Sequence, residues 1–217
     1  MTNAIRIGWI LAALSLGPSG AIAGVIRGMI VPASPRSHAE LTNSTHLAAA
    51  RVPAIQVREA VVFVEQIPAG LERKLARKSQ QALVVQTHGH FVPSPMSIVA
   101  GTTVEFENHD TAYHNVFSVS SARRFNVGKY GPNQTRQVRF ERTGLIKLFC
   151  DIDPAELGYL YVTPNHAYAQ PDSTGAFALP NLPHGTYRLR VWSPDHRPIS
   201  RVVEMPRRGD LSIALRL

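Results

Sequence analysis

Cysteine occurs once in the 217 residues, at Cys150. That excludes an internal disulfide, and in an oxidising compartment it would leave the thiol buried, metal-bound or oxidised. Long apolar runs are missing as well. Ile7 to Leu16 is the one candidate, and it is too short to span a bilayer. It follows Arg6 and precedes the small-x-small series Ala21-Ile22-Ala23. Residues 1–23 therefore read as a secretory signal peptide cleaved before Gly24, leaving a periplasmic or secreted protein with no stable membrane insertion. Two further absences bear on function. The chain carries no nucleic-acid-binding motif, and it shows no nucleophile–base arrangement with supporting context. No nucleic-acid partner and no enzyme activity are expected.

Acidic charge is also short, with 15 Asp or Glu against 23 Lys or Arg and a formal net charge of +8. The surplus lies at the two ends of the chain, because residues 82–164 hold equal numbers of basic and acidic side chains. Such a surplus could attract an acidic partner or an anionic surface, or simply be solvated.

What the chain does have is turns and alternation. Sixteen Pro and fifteen Gly suit a turn-rich all-β protein. Strands are expected at 25–31 and at 60–65, AVVFVE, separated by a mobile loop over 32–57 that has no sustained period. Residues 67–81 carry Arg73, Lys74, Arg77 and Lys78 around Leu71 and Leu75. They read as a solvated basic linker in preference to a short helix. Strands then follow near 82–87, 91–99, 102–107, 114–119, 134–140, 144–150 and 158–163, a spacing that suits a Greek-key sandwich. After Pro164, Phe177 and Leu179 precede two alternating runs, at Tyr187–Val191 and Leu211–Leu217.

The stretch Leu148 to Tyr161, LFCDIDPAELGYLY, holds the most chemistry. Ile146, Leu148 and Cys150 share one strand face, and Asp153 and Glu156 follow the thiol at three-residue steps. That is metal-ligand spacing, and it is equally a small buried residue followed by an acidic turn.

This stretch resembles the ligand loop of the cupredoxins, small blue-copper electron carriers whose short-loop form reads Cys-x-x-His-x-x-Met with a His some three dozen residues upstream. His114, in TAYHNVFS, stands at that distance. The flanks GTTVEFENHD, RRFNVGKYGPNQTRQVRF and GYLYV match too, and the resemblance covers about residues 82–163. It is closest to the plastocyanin-like and methylamine-utilisation-like members. The resemblance implies an exported copper-binding, electron-transfer protein that meets a redox partner protein. It places the metal ligands at His114, Cys150, Asp153 and Glu156, with Asp153 where the family has its second His and Glu156 where it has Met.

That ligand set is rich in negative charge. It therefore predicts no intense copper–thiolate colour in the native protein, and it leaves two alternatives to copper electron transfer. One is a redox-silent Zn(II) or Cu(II) site. The other is a copper-free binding or structural module. His109, in the same loop as His114, is a further candidate imidazole. His88 and His90 flank Gly89 and read as a strand-end turn in preference to a surface metal site.

The C-terminal run DSTGAFALPNLPHGTYRLRVW resembles the prealbumin-like, or carboxypeptidase regulatory-like, module, whose Gly-x-x-x-Gly strand and apolar second strand are matched upstream by GVIRG and AVVFVE. The implied organisation is nested, with a cupredoxin carrying a simple C-terminal appendage as the alternative. Residues 24–66 and 165–217 build one small sandwich, and a cupredoxin-like domain at 82–164 is inserted in its middle.

Overall fold

The computed structural model describes residues 23–31, 59–77, 82–194 and 196–217. The expected signal peptide, apart from its last residue, and the expected loop at 32–57 lie outside the described residues. In chain order the strands are β1 (Ile26–Val31), β2 (Val61–Val64), β3 (Ala82–Thr87), β4 (His90–Val92), β5 (Met96–Val99), β6 (Thr102–Asn108), β7 (Phe117–Ser118) and β8 (Phe125–Asn126). They continue as β9 (Thr135–Phe140), β10 (Gly144–Phe149), β11 (Leu157–Thr163), β12 (Tyr168–Ala169), β13 (Ala176–Ala178), β14 (Gly185–Ser193), β15 (His196–Met205) and β16 (Leu211–Arg216). One short helix, α1 (Ala69–Ala76), completes the set among the described residues. The architecture is all-β.

Residues 82–163 form an inner pair of sheets, ordered β4-β3-β6-β9 and β5-β11-β10-β7-β8. Their facing sides enclose one apolar core that includes Val84, Val104, Phe106, Phe140, Ile146, Leu148 and Leu160. The alternation of the sequence decides which residues these are, since every second position is buried in β3, in β6 from Val104 and in β10 from Ile146. Each such side chain contributes roughly 1.5–3 kcal/mol on burial. The expected single strand at 91–99 is two strands, β4 and β5, in different sheets. Pro93 and Pro95 lie between them and lack the N–H groups a continuous ladder needs. The expected strand at 114–119 is reduced to β7 plus a bridge between His114 and Tyr130.

The outer pair of sheets, β13-β1-β16 and β12-β2-β14-β15, is assembled from both ends of the chain. β1 lies parallel to β16, and β2 runs antiparallel to β14 with Val64 opposite Leu189. Their core includes Ile26, Ile30, Val62, Val64, Leu179, Leu189 and Met205. Gly28 on β1 is required sterically, because a Cβ there would collide with the Phe177 ring. β15 was not expected from the sequence. Its exposed positions mix Arg197, Arg201 and Glu204 with Ser200 and Val202, and Pro198 sits near its start, as an edge strand tolerates.

β2 explains how the two sandwiches meet. All four of its residues are buried, so it reads VVFV with no polar alternation. Val62 and Val64 face the outer core, while Val61 and Phe63 face Tyr161 on β11. Trp192 packs edge-on to Phe63 at 4.6 Å and tilted to Tyr161 at 6.1 Å. The connection from β11 into β12 is tied down by Asn165, whose Nδ2 donates to the Val64 carbonyl at 2.9 Å.

The solvated-linker expectation for 67–81 is corrected over its described part, since 69–76 is helical. Leu71 and Leu75, one helical turn apart, pack against the outer core. Glu72 in the first turn accepts the His166 backbone N–H at 3.0 Å and contacts His166 Nδ1 at 2.6 Å. Apolar contact and a hydrogen-bonding partner together order a segment that its charge run alone would leave in water.

Candidate metal centre

The site lies at one end of the inner sandwich, where inward-facing positions turn polar. β3 buries Ala82, Val84 and then Gln86, and β6 buries Val104, Phe106 and then Asn108. The two strands are parallel, with Gln86 paired to Asn108. β10 delivers Cys150 on the buried face, just past Phe149, and the hairpin loop returns through Glu156 into β11 at Leu157. His114 arrives from the loop after β6 and is held by reciprocal backbone bonds with Tyr130, at 3.1 and 2.9 Å.

Three donor atoms converge there. His114 Nδ1 lies 3.6 Å from Cys150 Sγ and 3.2 Å from Glu156 Oε2. All three residues are buried, and their ligand atoms lie within 4.8 Å of one another. Asp153 is not part of this group. Its Oδ1 accepts the Ala155 N–H at 3.1 Å, its carbonyl accepts the Glu156 N–H at 3.0 Å, and its own N–H points at Cys150 Sγ at 3.5 Å. Its other oxygen faces Gly89, at 3.2 Å from where a Cβ would stand. Asp153 thus shapes the loop with its side chain and offers the thiol its backbone N–H.

His109 is exposed and pairs with Glu107 at 2.9 Å, away from the three donors. His88 and Gly89 form the tip of the β3–β4 hairpin with φ of 53° and 72°, a left-handed pair that glycine tolerates well.

That hairpin tip has a role in the site. The His88 and Gly89 N–H groups donate to Asp110 at 2.7 and 3.4 Å, and Asp110 Oδ2 faces His114 Nε2 at 3.0 Å. Burial raises the Asp110 carboxyl, but the His88 and Gly89 N–H groups and His114 together hold it below the usual carboxylate range. An ionised Asp110 assigns the imidazole proton to Nε2 and leaves the Nδ1 lone pair for the centre. Asn108 fixes the loop that carries Asp110, accepting the Asp110 N–H at 2.9 Å and donating to the Ala112 carbonyl at 2.8 Å.

Glu156 is 1 % exposed and its Oε1 has no hydrogen-bond partner. Burial pushes its carboxyl up. The Gln86 bond, His114 and Cys150 oppose this, and Asp153 adds to it. Gln86 Nε2 donates to Oε2 at 2.9 Å, and the Tyr130 hydroxyl donates to Gln86 Oε1. Burial, with Glu156 and Cys150 nearby, pushes the Tyr130 phenol up, so it stays a donor. Gln86, Asn108, Asp110 and Tyr130 also line this site, and none of them stands at metal-ligand spacing from Cys150 in the sequence. A polar residue continuing an inward apolar set, as in Ala-x-Val-x-Gln and Val-x-Phe-x-Asn, is the signal that could have found the first two.

A metal fits this donor set. Tetrahedral coordination with bonds of about 2.0 Å to N, 2.1 Å to O and 2.3 Å to S needs its donors about 3.4–3.6 Å apart. The separations of His114 Nδ1 from Cys150 Sγ and from Glu156 Oε2, 3.6 and 3.2 Å, fall within a few tenths of that range. The orphaned Oε1 is a buried acceptor waiting for a cation or a proton.

No family model matches the chain, and no curated protein matches it. Solved structures do. A purple cupredoxin from Nitrosopumilus maritimus aligns at 24% identity over 38% of this chain and 100% of its own, with TM-score 0.35. A Cu-containing nitrite reductase from Thermus scotoductus SA-01 aligns at 25% identity over 39% of this chain, with TM-score 0.37. This chain spans only 23% of that reductase. An amicyanin variant in its Cu(I) form aligns at 18% identity over 48% of this chain and 98% of its own, with TM-score 0.36.

Proposed function

We propose that this is an exported, cupredoxin-like metal-binding protein whose centre is His114, Cys150 and Glu156. The convergence of three buried donors of different kinds at one point carries the reading. Cys150 would bind as thiolate and Glu156 as carboxylate, with neutral imidazole from His114. The two negative charges are balanced by a divalent ion and leave one in excess around Cu(I). In a buried site that excess is costly, so the residues favour the divalent state. Copper, when bound, supplies one-electron chemistry, and the protein's own contribution is to hold the divalent form. Charge balance equally supports a redox-silent Zn(II) or Cu(II) centre as the second reading.

Tyr113, Ile152 and Leu157 adjoin the donors in the chain and are exposed. They suit a partner protein that covers this end of the sandwich. Asp153 acts in the loop, so the four-ligand set of the resemblance is reduced to three in this reading.

The nested organisation belongs to the same proposal. The outer sandwich draws its strands from residues 24–66 and 165–217, as a prealbumin-like module would, and the inner core is complete within 82–164. Equimolar metal uptake by the mature protein, beginning at Gly24, tests the proposal. A Cys150→Ala variant should lose that uptake. A mature protein that takes up neither Cu(II) nor Zn(II) would leave the copper-free binding module as the better account.

A further inference from the structure

We infer that Gln86 is the residue that sets the metal preference of this centre, by fixing the rotation of the Glu156 carboxylate. The inference rests on the metal-binding reading above. Gln86 is fully buried, and its amide orientation is determined on three sides. The Tyr130 hydroxyl donates to Oε1, and Nε2 faces two acceptors, Glu156 Oε2 at 2.9 Å and the Asn115 carbonyl at 3.4 Å. Because a main-chain carbonyl can only accept, the nitrogen must be the atom on that side. A fixed N–H therefore occupies one lone pair of Oε2, the oxygen that faces His114 Nδ1. The carboxylate cannot rotate without breaking this bond, so a hard, charged oxygen stays beside the imidazole and thiolate.

The consequence is selectivity. Thiolate and imidazole alone suit Cu(I) as well as divalent ions. A carboxylate held in place adds charge and hardness that benefit Zn(II) and Cu(II) and do nothing for Cu(I). Tyr130 acts one step further out, keeping the Gln86 amide from turning over. Gln86 is thus a positioning residue, and it would act only through Glu156.

A competition experiment tests this, with Zn(II) and Cu(I) affinities measured on the full mature chain. Gln86→Leu strands the buried Tyr130 hydroxyl, so the main variant is Gln86→Leu with Tyr130→Phe, and Tyr130→Phe alone is its control. The double variant should bind Zn(II) roughly 10- to 100-fold more weakly, the usual effect of removing an outer-shell partner, with Cu(I) affinity unchanged. The control should keep most of the preference. In a Glu156→Gln background the same double change should have no further effect on the Zn(II)-to-Cu(I) ratio. Equal weakening of both ions, or an undiminished effect without Glu156, would overturn the inference and leave Gln86 a packing residue. Absence of both Zn(II) and Cu(II) uptake by the unmodified protein would instead overturn the metal reading, and this inference with it.

Discussion

The two sandwiches solve the same packing problem with different interiors. The outer one buries Ile26, Ile30, Val62, Val64, Leu179, Leu182 and Leu189, and among the described residues its buried polar ones are Asn165 and Ser193. The inner one has an equally apolar body, but at one end it buries Gln86, Asn108, His114, Asn115 and Glu156. Each of those polar groups costs free energy unless it is paired, and Glu156 Oε1 and Asn115 Oδ1 are not. A sandwich can be made without such a cluster, as the outer one demonstrates in the same molecule. The inner end therefore reads as a site whose cost is retained for what it holds.

The largest effects should come from breaking either core. Leu189→Ala in the outer sandwich and Leu148→Ala in the inner one should each lose about 2–5 kcal/mol of stability in chemical denaturation. They should differ in their effect on the site. Metal affinity should survive Leu189→Ala and fall with Leu148→Ala, because Leu148 packs two residues from Cys150. Equal loss of metal in both would mean that the aromatic contact of Phe63, Tyr161 and Trp192 couples the halves more tightly than their separate cores suggest.

Next in size is Asp110→Asn. It keeps the shape of the loop but weakens the acceptor that holds the His114 proton on Nε2. Metal affinity should drop roughly 10- to 100-fold in titration, with little change in the folded baseline. Smaller, and opposite in sign for stability, is Glu156→Gln. Removing a buried carboxylate with an unpaired oxygen should stabilise the metal-free protein by about 1–3 kcal/mol while weakening divalent-metal binding. A loss of stability in the metal-free state would mean that the carboxylate is structural.

The overall β pattern was legible because alternation is a local signal. β3, β6, β9 and β10 fall within a residue or so of their expected bounds, and VVFV stood out as a strand. What was not legible depends on contacts distant in sequence. α1 is ordered by Glu72 meeting His166 and by Leu71 and Leu75 meeting the outer core, none of which a charge run reveals. The ligand atoms of His114, Cys150 and Glu156 lie within 4.8 Å of one another, and that closeness was visible from spacing and resemblance. The turning aside of Asp153 was not, because an Asp three residues past a Cys can serve as ligand or as turn-former, and only the loop's geometry decides. Gln86, Asp110 and Tyr130 are brought to the site from three separate segments, by a strand end, a hairpin tip and a bridge respectively.

The smallest expected effect belongs to the outer sandwich. The Thr174 hydroxyl and N–H hold the Asp172 carboxyl low, and the Val25 N–H and Arg27 do so for Asp210, in both cases against slight desolvation. A carboxyl held low when folded contributes stability above its ordinary pKa and loses it as pH falls through the folded value. Asp172→Asn with Asp210→Asn should therefore flatten the acid side of the stability profile below about pH 4, where an unperturbed Asp carboxyl titrates. The metal site should be untouched.

The central claim is that the centre uses Glu156 and leaves Asp153 to the loop. Asp153→Asn keeps the Oδ1 acceptor for the Ala155 N–H and removes the charge, so it separates the two roles. Zinc or copper titration of Asp153→Asn beside Glu156→Ala is the most direct measurement. Asp153→Asn should bind one metal per chain with nearly unchanged affinity, and Glu156→Ala should lose most of it. Loss of binding in Asp153→Asn, with Glu156→Ala unaffected, would contradict the account and return the ligand role to Asp153.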